Sequence, residues 1–221
     1  MSLLLHIDTA LGKASVSLAS GEALIAVKEN QDMRDQAAWI HTAIRDLLQE
    51  NGCTTASLSA IAVVAGPGSY TGLRIGLATA KGLCYALQIP LITINTLELI
   101  AHAAQAQATD LVCAIIDARR MKAIMALYNK AGAAIIEPEA RIITGDSFAD
   151  ILDQHHVVFA GNSNTKVSSV IKHPHAVFLE NNYTVTDICA FANRMYQMEL
   201  FTELAYAEPY YVKEYYSTSG T

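Results

Sequence analysis

Any chemistry in this chain has to start from a small set of residues. The segment Gly66-Pro67-Gly68-Ser69-Tyr70-Thr71 follows the apolar run Ile61-Ala62-Val63-Val64-Ala65 and leads into a long stretch of small and apolar residues. A glycine-rich turn between a strand and a helix leaves backbone N–H groups at the positive end of the helix dipole, which suits an anion such as phosphate. Gly66, Gly68, Ser69, Tyr70 and Thr71, with Asp8 at the end of the first apolar run, form a candidate phosphate loop. A plain tight turn with Ser69 or Thr71 as helix cap accounts for the same residues. Asp117 and Gly161 end later apolar runs in the same way as Asp8 and Gly66. The turns after the two acids read Asp8-Thr9-Ala10-Leu11-Gly12 and Asp117-Ala118-Arg119-Arg120. Ala10 stands where a glycine would let the backbone approach a phosphate, and the second turn has no glycine. The other reading of both acids is that they cap turns or meet at a domain junction.

Metal ligands and nucleophiles are not expected. The seven histidines form no H-x-x-x-H pair, and the close sets His155-His156 and His173-Pro174-His175 lack a carboxylate at ligand spacing. Gly68-Ser69-Tyr70 lacks the flanks of a nucleophile elbow. Cys53, Cys84, Cys113 and Cys189 are scattered without a C-x-x-C pair and read as reduced core thiols. Asp32, Asp35 and Asp46 read as solvation.

The elements that must position the loop follow from hydrophobic periodicity. Residues 3–8, 14–18 and 24–27 read as a three-strand meander, and residues 35–50 as a helix stopped by Gly52. Then come the strand at 61–65, the glycine loop, a helix to about Leu87, a strand at 91–94 beyond Pro90, and a helix over 96–108 capped by Asn95 or Thr96. The order then restarts: strands at 111–117 and 123–128, a third in or near 140–143, a short helix over 147–154, a strand at 157–160, a helix fragment at 166–171, a strand at 176–179 and a helix over 186–198. Strand, strand, strand, helix, strand, helix thus occurs twice. That order specifies an α/β chain with the duplicated ribonuclease-H-like fold of actin, Hsp70 and the sugar kinases, built from two mixed-sheet subdomains. The expected division is 1–108 and 109–198, with the tail 199–221 packing on the first.

The chain has 221 residues, is 52% hydrophobic and 16% charged, and carries a formal net charge of -6, so it can bury a core and resists disorder. Without a basic run it is a poor ligand for nucleic acid by itself. No membrane span or signal peptide is expected. In the helix after the loop, Gly72, Gly76, Ala80 and Cys84 share one line, bordered by Leu73 and Leu77, and such a stripe admits close approach of another helix. Helix 35–50 carries Trp39, Ile40, Ala43 and Ile44 over more width than one sheet face needs. Trp39, Ile40, Ala43, Ile44, Gly72, Leu73, Gly76, Leu77 and Ala80 are therefore the expected partner interface. Internal packing of both stripes is the other reading.

The segment from Gly66 to Gly76, with Ala80-Lys81-Gly82-Leu83, resembles the signature of the TsaB (YeaZ) family. The segments Ile7-Asp8-Thr9, Ile116-Asp117-Ala118-Arg119 and Pro209-Tyr210-Tyr211-Val212-Lys213 are similar to that family too, in the right order over nearly the whole chain. The resemblance implies a bacterial, cytoplasmic, non-catalytic paralogue of TsaD in the synthesis of threonylcarbamoyl-adenosine next to the anticodon of tRNA. It implies a scaffold subunit that binds and activates TsaD as a heterodimer, helps recruit the ATPase TsaE, meets tRNA only within the complex and holds no cofactor itself, nucleotide and metal residing on TsaD and TsaE. Alone, such a chain is expected to pair with a second copy through the same patch. The segment Met33-Arg34-Asp35-Gln36-Ala37-Ala38 departs from the family's His-Ser or His-Thr helix start. The competing reading is a nucleotide-binding enzyme of the same fold, a small-molecule kinase or a metallopeptidase-like protein.

Overall fold

The computed structural model describes residues 2–32, 34–118, 122–179 and 182–212. Met33, Arg119, Arg120 and Lys213, named above, lie outside the described residues, as does the rest of the tail to 221.

Strand β1 (Leu3–Asp8) pairs antiparallel with β2 (Ala14–Ser20), which pairs antiparallel with β3 (Ala23–Asn30). Helix α1 (Gln36–Glu50) leads to β4 (Ala60–Gly66), parallel to β1, and α2 (Tyr70–Leu87) to β5 (Leu91–Asn95), parallel to β4. The sheet order is β3-β2-β1-β4-β5. Central β4 is buried at every position, as a parallel strand covered on both faces must be, whereas edge β3 alternates and carries Lys28 and Glu29. Leu5, Ile7, Val16, Leu18, Ile61 and Val63 on one face meet Ile40, Ile44, Leu47 and Leu48 of α1 and Leu77 and Ala80 of α2. Ser69 caps α2 by accepting from Gly72 N. Helix α3 (Thr96–Ala104) is capped by Asn95, whose Oδ1 accepts from Leu97 N at 2.8 Å, and it gives way to a 3-10 turn at Gln105–Gln107 instead of running to 108.

The second sheet repeats the scheme. Strands β6 (Leu111–Asp117), β7 (Lys122–Asn129), β8 (Ala134–Ile142), β9 (Val157–Ala160) and β10 (Ala176–Phe178) take the order β10-β9-β6-β7-β8, the same order as the first sheet read from its other edge. Its helices are short: α4 (Ala149–Leu152) and α5 (Asn164–Val170). Phe148, Phe159 and Val167 fill its core, with the Phe148 and Phe159 rings edge to face at 5.2 Å.

The division of the chain differs from the sequence expectation. Helix α6 (Val185–Gln197), assigned above to the second subdomain, lies against β1, β3 and β5 and belongs to the first unit, which comprises Met1–Leu99 and Thr184–Tyr210; the second is built on Ile100–Tyr183. The reason is coverage. Helices α1 and α2 share one face of the first sheet, and the apolar side of α6, with Ile188, Cys189, Phe191 and Ala192 buried, closes the other. After α6 the chain runs along the same unit: Thr202 N donates to Leu91 O (2.8 Å), Lys81 Nζ to Ala207 O (2.9 Å) and Tyr210 N to Ala65 O (2.8 Å).

Beneath α6 sits a buried imidazole. His6 Nδ1 is 3.2 Å from Ser17 Oγ and 3.9 Å from Cys189 Sγ, and its Nε2 has no hydrogen-bond partner. Burial pushes its pKa down to about 4, a shift the backbone of Ser17 only partly opposes. The unfolded chain therefore takes this proton first as pH falls. Stability is full above the ordinary histidine range and is lost on acidification until the folded pKa is reached. Urea unfolding should show a loss of about 2 kcal/mol between about pH 7 and about pH 5, largely absent in His6→Gln. An equal loss in the variant would place the acid sensitivity elsewhere.

Candidate functional site: a glycine loop closed on the first strand turn

The loop from β4 to α2 is shut against its own chain. Ser69 N donates to Ala10 O (2.8 Å), and Thr9 Oγ1 donates to Gly72 O (2.7 Å). A Cβ built on Gly68 would strike Ala10 O, one on Gly72 would strike Thr9 O, and one on Gly76 would strike Thr9 Oγ1. Gly66 has φ +118, and a Cβ there would lie 2.5 Å from Tyr210 O. The close backbone approach these glycines permit is thus to the Thr9–Ala10 turn and to the C-terminal strap, where a phosphate cradle would leave room for a ligand.

The candidate phosphate residues are brought together, but they are engaged. Asp8 is buried and its Oδ1 accepts from Ala10 N (2.9 Å), a turn cap. Ser69 is the helix cap. Tyr70 is 57% exposed, with the Arg74 guanidinium 3.9 Å over its ring, and Thr71 is exposed. In the second unit Asp117 Oδ1 is held by Lys166 Nζ (2.8 Å), and Asp117 N donates to Asn162 Oδ1 (2.8 Å). Gly161 has φ +129, and a Cβ there would strike Ile115 O. The Lys166 pair and the two asparagines of this loop escaped sequence reading. Their signal was the Gly161-Asn162-Ser163-Asn164 run, since Asn holds turns through its side chain.

The expected partner interface is corrected. Ile40, Ala43, Ile44, Gly72, Leu73, Gly76, Leu77 and Ala80 are buried within the first unit, and Trp39 is half-buried against the same core. The stripe of Gly72 and Gly76 faces Thr9, Ile7 and Val63, because β1 and its turn need the space that a side chain would take. What α2 turns outward is a second line of small residues two positions along, Ala78, Gly82 and Ala86, with Thr71, Arg74 and Tyr85. Helix α1 exposes Ala37, Ala38, His41, Thr42 and Arg45. A cleft of about 350 Å³ lies within this unit, lined by His41, Ile44, Arg45, Leu48, Cys53 and Leu83 among others.

The second unit has a cavity of about 500 Å³ lined by Gly161, Asn162, Asn164, Thr165, Ser168, Phe178, Leu179 and Asn182. Asn164 Nδ2 donates to Phe159 O (2.9 Å) and to Leu179 O. Burial raises the Cys84 and Cys189 thiols to about 11 and Cys113 further still, so these three are inert. Among the described residues no three His, Cys, Asp or Glu side chains are grouped to hold a metal ion, and no helix is long and apolar enough to cross a membrane.

Two sheets of identical strand order, each with an acid ending its first strand and a glycine at or just after the end of its fourth, define the duplicated ribonuclease-H-like fold. The solved structure of YeaZ from Pseudomonas aeruginosa superposes over 96% of this chain and 100% of its own, with a TM-score of 0.78 and 27% identity. The chain is 29% identical to the tRNA threonylcarbamoyladenosine biosynthesis protein TsaB of Bacillus subtilis over 76% of this chain and 75% of that protein. It is 34% identical to TsaB of Escherichia coli over 58% and 55%. The family model described as TsaD, tRNA N6-adenosine threonylcarbamoyltransferase, matches residues 25–215, and the chain belongs to that family, in its TsaB (YeaZ) branch.

The inward and outward glycines of α2 should behave oppositely. Gly72→Ala places a methyl group on the Thr9 carbonyl and should lower stability to urea by about 1–3 kcal/mol. Gly82 has nothing within 4 Å of a built Cβ, so Gly82→Ala should raise stability by about 0.5–1 kcal/mol. Equal effects of the two changes would contradict the orientation of the helix.

Proposed function

We propose that the chain is a non-catalytic subunit of tRNA threonylcarbamoyladenosine synthesis in the cytoplasm, acting as a scaffold that binds and activates TsaD and helps recruit TsaE. The observation that carries this reading is the closure of the glycine loop on Thr9 and Ala10. Where a phosphate-binding turn would need open backbone, the chain packs on itself, and the strand-ending acids are bound to a turn amide and to Lys166. The names of the TsaB relatives supply the pathway. The net charge of -6 supports tRNA reaching the complex through a partner.

The docking surface under this reading is the outward side of α1 and α2, with Ala37, Ala38, Ala78 and Gly82 at its centre. Small side chains let a partner helix approach closely, and the buried stripe behind them sets the position of α2. In the absence of TsaD the same side pairs with a second copy. Ala38→Arg and Ala78→Arg should each weaken TsaD binding at least about 100-fold by calorimetry, near 3 kcal/mol, without a change in thermal midpoint. Unchanged affinity in both variants would place the interface elsewhere.

One observation favours the enzyme reading. The polar cavity at Gly161 to Asn182 has room for a small organic ligand. Titration of the isolated chain with ATP and Mg²⁺ separates the two readings: no heat is expected of a scaffold, and micromolar binding would favour the enzyme.

A further inference from the structure

The second sheet ends on β10, a three-residue edge strand that pairs with β9, and three imidazoles gather where it begins. The ring centroids of His156 and His175 are 4.2 Å apart, and those of His173 and His175 are 5.2 Å apart. Two hydrogen bonds fix the tautomers. A backbone N–H can only donate, so the 3.2 Å contact from His175 N makes His173 Nδ1 an acceptor. Neutral His173 therefore carries its proton on Nε2, the atom 3.5 Å from Asp153 Oδ1. A carbonyl can only accept, so His175 Nδ1, 2.7 Å from Leu152 O, is an N–H and the lone pair of that ring is on Nε2.

The two rings must then respond differently to a second proton. His175 takes it on Nε2 and keeps its bond to Leu152. His173 can take it only on Nδ1, which sets N–H against N–H and destroys the bond from His175. That bond closes the turn that delivers β10: Ala176 N donates to His173 O (3.0 Å), and Val157 N donates to His175 O (2.9 Å). Charged and titratable groups surround the turn among the described residues. They include Asp153, beyond α4, whose Oδ1 lies 3.5 Å from His173 Nε2, and the His156 and His175 rings. Asp110 is engaged with His156 N (2.8 Å), and the Lys172 ammonium is held by Ser168 O (2.6 Å).

We propose that the His173-Pro174-His175 turn is a proton-operated catch, which seats β10 on β9 when His173 is neutral and releases it when His173 Nδ1 is protonated. Phe178 of β10 and Leu179 after it wall the 500 Å³ cavity, so release of the strand opens that cavity.

Hydrogen exchange resolved to single residues, on the full chain at about pH 7.5 and about pH 5.5, tests the catch. In His173→Asn the amide oxygen takes the place of Nδ1 and accepts from His175 N but takes no proton. After correction for intrinsic exchange, the wild type should lose several-fold, up to about tenfold, more protection at His175, Ala176 and Leu179 than the variant does, with β7 amides alike in both. An equal loss in the two proteins overturns the proposal, as do imidazole ¹⁵N spectra that place the neutral proton of His173 on Nδ1. If the asparagine fails to hold β10 at the higher pH, Asp153→Asn decides. Removing that carboxylate should move the midpoint of strand release to lower pH, and an unmoved midpoint overturns the catch.

Discussion

The first unit depends on a contact between two stretches of backbone. The Thr9–Ala10 turn lies against the edge of α2, and Gly68, Gly72 and Gly76 lack the atoms that would prevent it. Ser69 N and Thr9 Oγ1 supply the hydrogen bonds that hold it. The dipole of α2 and the glycine-rich turn have the makings of an anion site. What fills the space is the carbonyl side of the chain's own first turn, so the machinery of ligand approach has become a packing joint. The same joint fixes the axis of α2 and hence which residues α2 shows to solvent.

The two units share a strand order and treat their strand-ending acids differently. Asp8 is buried and caps its own turn, so it is part of the first core. Asp117 is partly exposed and meets an ammonium, an ion pair of the kind that contributes at most about 1 kcal/mol. The first turn is locked and the second only tethered. The long helices follow the same asymmetry, since α1, α2 and α6 all cover the first sheet while α4 and α5, which meet the core of the second, are short.

Much of this was legible in the sequence. Apolar runs ending in Asp8 and Asp117, and others ending in Gly66 and Gly161, announced a duplicated mixed sheet, because buried strands and strand-ending turns leave local signals. The cap at Ser69 and the stop at Gly52 were local as well. The orientation of α2 was not. Gly72, Gly76 and Ala80 form one small-residue line and Ala78, Gly82 and Ala86 another, and periodicity reveals that residues share a side without revealing what lies opposite. Only the position of Thr9, 63 residues before Gly72, decides it. The membership of α6 was hidden for the same reason: an amphipathic helix states that it needs a sheet face, not which of two.

The path of the chain after α6 has a bearing on how the protein is made. The second unit takes all five strands of its sheet from one stretch, Ile100–Tyr183, whereas the first needs residues 1–99 and a return from Thr184 to Tyr210. A ribosome delivers the strands of the first sheet early and the helix that covers its bare face last. Until Thr184 to Tyr210 emerges, the β5 edge that Thr202 later occupies and the sheet face under α6, His6 included, stay open to solvent. The part of the molecule synthesised first is therefore the part finished last, and during that interval it is the nascent sheet a chaperone would have most reason to guard.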